Sequence, residues 1–134
     1  MTDIKEIEGI GPEYGAKLEA AGVTTVEALL ERGATRKGRT DLEAATGIGH
    51  AFILKWTNRA DLFRVKGIGE EYSDLLEAAG VDTVVELAQR NAANLHATLA
   101  STNEAKHLVR RVPSESEVAT WVEEAKSLPR VMEY

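Results

Sequence analysis

The stretch from Gly9 to Arg32 is written again from Gly67 to Arg90, where, at an offset of 58 positions, 15 of the 24 residue pairs are identical. An internal repeat constrains the architecture before composition does, because each copy has to supply the same supersecondary unit. Past residue 90 the copies diverge, yet Ile53, Trp56, Ala60 and Phe63 line up with Val118, Trp121, Ala125 and Leu128 at an offset of 65. The second copy therefore carries a net insertion of seven residues before its last helix.

Within a copy the apolar spacing is helical and the alternation typical of strands is absent. Tyr14, Leu18 and Ala21 share a face, and Gly22 follows as a stop signal. Thr24 with Glu27, Thr40 with Glu43, and Ser114 with Glu117 have the spacing of capping boxes. Ile53, Trp56, Ala60 and Phe63 form one stripe of a later helix. The expectation is an all-α chain of four or five short helices per copy, with residues 1–64 as one unit and 65–134 as the second, packed as one compact molecule.

The joints carry the chemistry. "IEGIGPEYGAKL", "TGIGHAFILKW" and "VKGIGEEYSDLL" each place Gly-Ile-Gly at the head of a helix. There glycine allows positive φ, and outward backbone N–H groups at a positive helix end can receive phosphate. These turns resemble the helix-hairpin-helix motif of DNA repair and polymerase proteins. In that family two motifs form a unit of about sixty residues with a SAM-like fold, and both hairpins grip nucleic-acid backbone without reading sequence. The resemblance implies that Gly9-Ile10-Gly11 pairs with Gly47-Ile48-Gly49. It likewise pairs Gly67-Ile68-Gly69 with a degenerate hairpin around Val112-Pro113-Ser114. It also implies that hairpin carbonyls at Gly9 to Gly11 or Gly67 to Gly69 can hold a Na or K ion. Each copy further resembles the C-terminal domain of the RNA polymerase alpha subunit in "LEAAGVTTVEALL". The whole chain is similar to a bacterial family of unknown function that joins "KGIGxEYxxLLEAAGVDTVxEL" to "LVRRVPS" and a Trp-containing last helix.

Charge sorts the turns. The net charge is −6, whereas domains that hold nucleic acid by charge alone are usually basic. Residues 1–34, 35–66, 67–100 and 101–134 sum to −4, +4, −5 and −1. Glu13, and Glu70 with Glu71, stand just after the first and third turns, where they repel phosphate and favour the helix dipole whatever is bound. The second turn is flanked by Arg36, Lys37, Arg39, His50 and Lys55, and the inserted loop of the second copy carries Lys106, Arg110 and Arg111. The expected nucleic-acid edge is therefore Arg36, Lys37, Arg39, Gly47, Ile48, Gly49, His50, Lys55, Lys106, Arg110 and Arg111. The same charges can equally solvate helices or pair with the acidic segments.

Two functions fit: weak, sequence-independent binding to DNA or RNA backbone, or a protein adaptor or self-associating module whose acidic hairpins meet a basic partner. No acid–base pair or nucleophile can be singled out, and His50, His96 and His107 lack partners at metal-ligand spacing, so a non-enzymatic protein without a metal centre is expected. Trp56, Trp121, Tyr14 and Tyr72 sit on helical stripes and are expected in cores. The absence of Cys, of a signal peptide and of a membrane span points to the cytoplasm.

Overall fold

A computed structural model of the chain describes residues 2–134. Among them are eight helices, α1 (Pro12–Ala20), α2 (Val26–Gly33), α3 (Arg36–Thr46), α4 (His50–Leu62), α5 (Glu70–Ala78), α6 (Val84–Ala88), α7 (Ala92–Lys106) and α8 (Glu115–Ser127). A 3-10 turn at Ile4–Glu6 precedes them, and the only strand-like pairing among the described residues is an isolated antiparallel bridge between Asp3 and Thr25. The chain is all-α.

Two compact units divide it: Met1–Asp61 with Val131–Tyr134, and Leu62–Arg130. The division falls three residues before the boundary drawn at residue 64 in the sequence, and the last four residues belong with the first unit. Each unit holds eight Lys and Arg side chains against eleven Asp and Glu, so both are acidic.

The duplication is visible in the cores. Ile7, Ile10, Leu18, Val23, Val26 and Leu29 are buried in unit 1, and their counterparts Val65, Ile68, Leu76, Val81, Val84 and Leu87 are buried in unit 2. Helix starts follow from short polar caps: Thr25, Thr35, Thr83, Asn91 and Ser114 each accept a hydrogen bond from the backbone N–H three residues on. Such a cap stabilises a helix by about 1 kcal/mol. The Ser114–Glu117 capping box is complete. The other two boxes are not: Thr25 rather than Thr24 caps α2, while Thr40 lies inside α3 and donates to the Arg36 carbonyl. Arginine closes both first helices, Arg32 donating to Ala21 O at 3.1 Å and Arg90 to Gly80 O at 3.2 Å.

The α2–α3 junction leaves no room. A Cβ on Gly38 would stand 2.0 Å from the Arg32 carbonyl oxygen. Alanine normally favours a helix over glycine by about 1 kcal/mol, but here backbone would have to move, at a cost of about 1 to 3 kcal/mol for overpacking. Gly38→Ala is therefore expected to lower the midpoint of urea unfolding; a higher midpoint would show that α2 and α3 are spaced more widely.

Candidate functional site

The first and third turns are built against tryptophan. Gly9 (φ 95°) and Gly67 (φ 92°) lie in the left-handed region, and a Cβ there would come within 3.3 Å of Trp56 Nε1 and 3.2 Å of Trp121 Nε1. Glycine is required at both places by conformation and by packing. Gly11 and Gly69 are the N-caps of α1 and α5, offer no side-chain cap, and have open space where a Cβ would point. The next residues put Glu13 in the first turn of α1, and Glu70 and Glu71 in that of α5. As for a monovalent cation at either turn, the Ile7 and Val65 carbonyls accept from Ile10 and Ile68, and those of Gly11 and Gly69 from Gly15 and Ser73. No group of three acidic or imidazole side chains suited to a metal occurs among the described residues. Each of the four carbonyls named keeps a second lone pair.

At the second turn, Gly47 ends α3 in the left-handed region (φ 73°), Ile48 is buried, and Gly49 is open to solvent on its Cβ side. The first turn of α4 contains no carboxylate. His50 Nδ1 lies 3.2 Å from Glu43 Oε2, Lys37 Nζ lies 3.1 Å from Asp41 Oδ2, and Arg36 and Lys55 are exposed. Arg39 corrects the expected basic edge. It is 2% exposed, donating from Nη1 to Gly33 O (2.8 Å) and Ala34 O (3.3 Å), and from Nη2 to Glu133 O (2.9 Å). Its guanidinium is 5.5 Å from the Tyr134 ring centre. It anchors chain and does not face a ligand. Ile48 is likewise core, so its place in the edge reduces to its backbone.

In unit 2 a cleft of about 390 Å³ opens between the head of α5 and the inserted loop, lined by Gly69–Tyr72 and Val109–Arg111. Glu71 accepts from the Arg110 backbone N–H and from its Nη2, both at 3.4 Å, and the Tyr72 hydroxyl donates to Arg111 O at 3.1 Å. Arg111 forks onto both oxygens of Glu117 at 2.8 and 3.0 Å. This arginine, helped by the Ser114 backbone N–H, holds the Glu117 carboxyl down at about 2, and Glu117 in turn raises Arg111. Lys106 is exposed at the end of α7.

The expected residues thus do not act alike. His50 and Lys55 lie in the first two turns of α4 beside Gly47 to Gly49, whereas Arg36 and Lys37 stand at the opposite end of α3, about 15 Å from Gly47 along the helix; Lys106, Arg110 and Arg111 belong to unit 2. Four of these cationic side chains already meet carboxylates. Reading by charge placed Glu71 after the third turn but not on the inserted loop, and it left out two aromatic residues. Glu71 and Tyr72 hold the loop, and Phe52, 47% exposed, lies beside Tyr14 and stacks on Trp56. The offset of 65 was the available signal, since it sets Phe52 against Glu117.

Residues 8–128 match the family described as Domain of unknown function (DUF4332). The chain belongs to this family. The DUF4332 match takes in both copies of this chain's repeat, Gly9–Arg32 and Gly67–Arg90, and stops short of the Val131–Tyr134 segment that joins unit 1. No curated protein and no solved structure matches the chain. Among the described residues no helix is long and apolar enough to cross a membrane.

Proposed function

We propose that this chain is a non-enzymatic protein-interaction module, of helix-hairpin-helix descent, whose acidic hairpin heads receive basic segments. One observation carries this reading: the head of α5 already holds an arginine-bearing stretch of its own chain through Glu71 and Tyr72. Acidic units in which Lys37, His50, Arg110 and Arg111, half of the expected cationic side chains, meet carboxylates support the same conclusion. Phosphate arriving at α1 or α5 would meet Glu13, or Glu70 and Glu71, at close range.

A second reading, weak binding to DNA or RNA backbone, draws on the exposed cations of unit 1, Arg36 and Lys37 at the head of α3 and Lys55 on α4, whose own first turn supplies no carboxylate. Three phosphate contacts there would give a salt slope of about −2.7 and a Kd of roughly 10⁻⁴ to 10⁻⁶ M. Fluorescence anisotropy with a labelled duplex and a labelled single strand, at low and near-physiological salt, separates the two. The expected result is no binding at low salt, where attraction is least screened. Salt-dependent micromolar binding that disappears in the double charge reversal Arg36→Glu with Lys37→Glu would replace the first reading by the second.

A further inference from the structure

The two copies carry the same receptor, but only one is filled from within. In unit 2, six residues (Leu108–Pro113) lie between the C-cap of α7, His107, and the N-cap of α8, Ser114. They are steered over the head of α5 by Val109, whose backbone N–H donates to Asn103 Oδ1 at 2.9 Å and whose carbonyl accepts from Asn103 Nδ2 at 3.1 Å. Arg110 then meets Glu71 and the Arg111 carbonyl meets Tyr72. In unit 1 a single residue, Ile48, lies between the C-cap Gly47 and Gly49. That connection is too short to supply a loop.

Glu13 and Tyr14 stand in α1 at the places of Glu71 and Tyr72 in α5. Among the described residues neither the Glu13 carboxylate nor the Tyr14 hydroxyl has a hydrogen-bond or ion-pair partner. Phe52 takes the place of Glu117, 5.7 Å from the Tyr14 ring and 5.5 Å from that of Trp56, stacked on the latter at 16°. Phe52 packs on the ring of Tyr14, whose hydroxyl is unengaged and whose neighbour in sequence is Glu13, so apolar surface and two directional groups are offered by α1 and α4.

We propose that the Glu13–Tyr14–Phe52 face of unit 1 receives, from another protein, a peptide segment in which an arginine is followed by an apolar residue. The arginine meets Glu13 as Arg110 meets Glu71, a backbone carbonyl of the segment accepts from Tyr14, and the apolar residue covers Phe52. A second arginine in that last position, the arrangement of unit 2, has no Glu117 to receive it. It would instead approach Lys17, whose Nζ is 5.8 Å from the Tyr14 ring centre, and His50, which is bound to Glu43. Unit 1 thus offers a carboxylate at the place of Glu71 and an aromatic ring at the place of Glu117. This inference rests on the protein-interaction reading and narrows it to one face.

The test is a heteronuclear NMR titration of the ¹⁵N-labelled full chain with the heptapeptide His-Leu-Val-Arg-Leu-Val-Pro, which copies the inserted loop with its second arginine made leucine. A peptide with glutamate in the arginine position is the control. Expected are amide shifts concentrated in residues 13–15 and 50–56, absent with the control. Glu13→Gln is expected to weaken binding about two- to fivefold, the range for an exposed charge pair, and Phe52→Ala to weaken it further. Both side chains are exposed, and the spectra of the variants report directly whether they fold. Shifts confined to residues 69–73 and 109–111 would mean that the peptide displaces the native loop; that outcome overturns the unit 1 face while leaving the protein-interaction reading intact. Absence of shifts at either face also overturns the site, and the nucleic-acid titration then decides the broader reading on its own.

Discussion

Trp121→Ala is expected to lower the stability of unit 2 by about 3 to 5 kcal/mol, the usual range for removing a buried aromatic. Trp121 is 3% exposed in a core shared with Leu75, Leu76, Val118 and Val122. Its Nε1 lies close to the Gly67 turn, and its ring centre is 5.2 Å from that of Tyr72. Alanine would leave a cavity behind the turn and withdraw the surface on which Tyr72 rests, so the head of α5 would lose its backing along with the core. Urea unfolding followed by circular dichroism measures the loss. Fluorescence of the remaining Trp56 reports unit 1 separately, since the two tryptophans lie in different units. A cost below about 1 kcal/mol would show that the turn is held by something other than this ring.

Arg39→Ala is expected to cost about 3 kcal/mol, because hydrogen bonds from a charged donor contribute about 1.5 to 3 kcal/mol each and their buried carbonyl acceptors would be left unsatisfied. The figure is kept low because Arg39 Nε is buried without a partner among the described residues, which already reduces the gain from burying the guanidinium. The local effect is more diagnostic. Glu133 N–H donates to Ala34 O at 2.7 Å, Tyr134 Oη to Asn58 Oδ1 at 2.9 Å, and Met132 is 2% exposed. Without Arg39 the segment Val131–Tyr134 should detach before the rest of unit 1 opens. Amide hydrogen exchange at Glu133 is expected to be slow in the native chain and fast in the variant. Equal rates would mean that apolar packing, not the arginine, holds the segment.

Features written locally were legible in the sequence, and features written by distant pairing were not. The repeat, the all-α class and the Ser114–Glu117 box each depend on residues within a helix turn or on a fixed offset. The boxes at Thr24 and Thr40 misled because Ser or Thr three residues before Glu is common in helical sequence. At α3 the true cap is Thr35, five residues earlier, followed by Gly38, a poor helix former kept by packing. Arg39 was read as a surface cation because nothing near it announces burial; its partner Glu133 lies 94 residues away. The Glu71–Arg110 contact spans 39 residues and was equally invisible. The exposed cations are where charge placed them, but their carboxylate partners follow from tertiary packing.

Unit 1 is assembled from both ends of the sequence, with all of unit 2 written in between. At a synthesis rate of about 5 to 20 residues per second, the stretch Leu62–Arg130 takes roughly 3 to 14 s to emerge. Through that interval the nascent first unit lacks Met132 and the carbonyl of Glu133, and Arg39 is without one of its three acceptors. The copy translated first is the copy completed last.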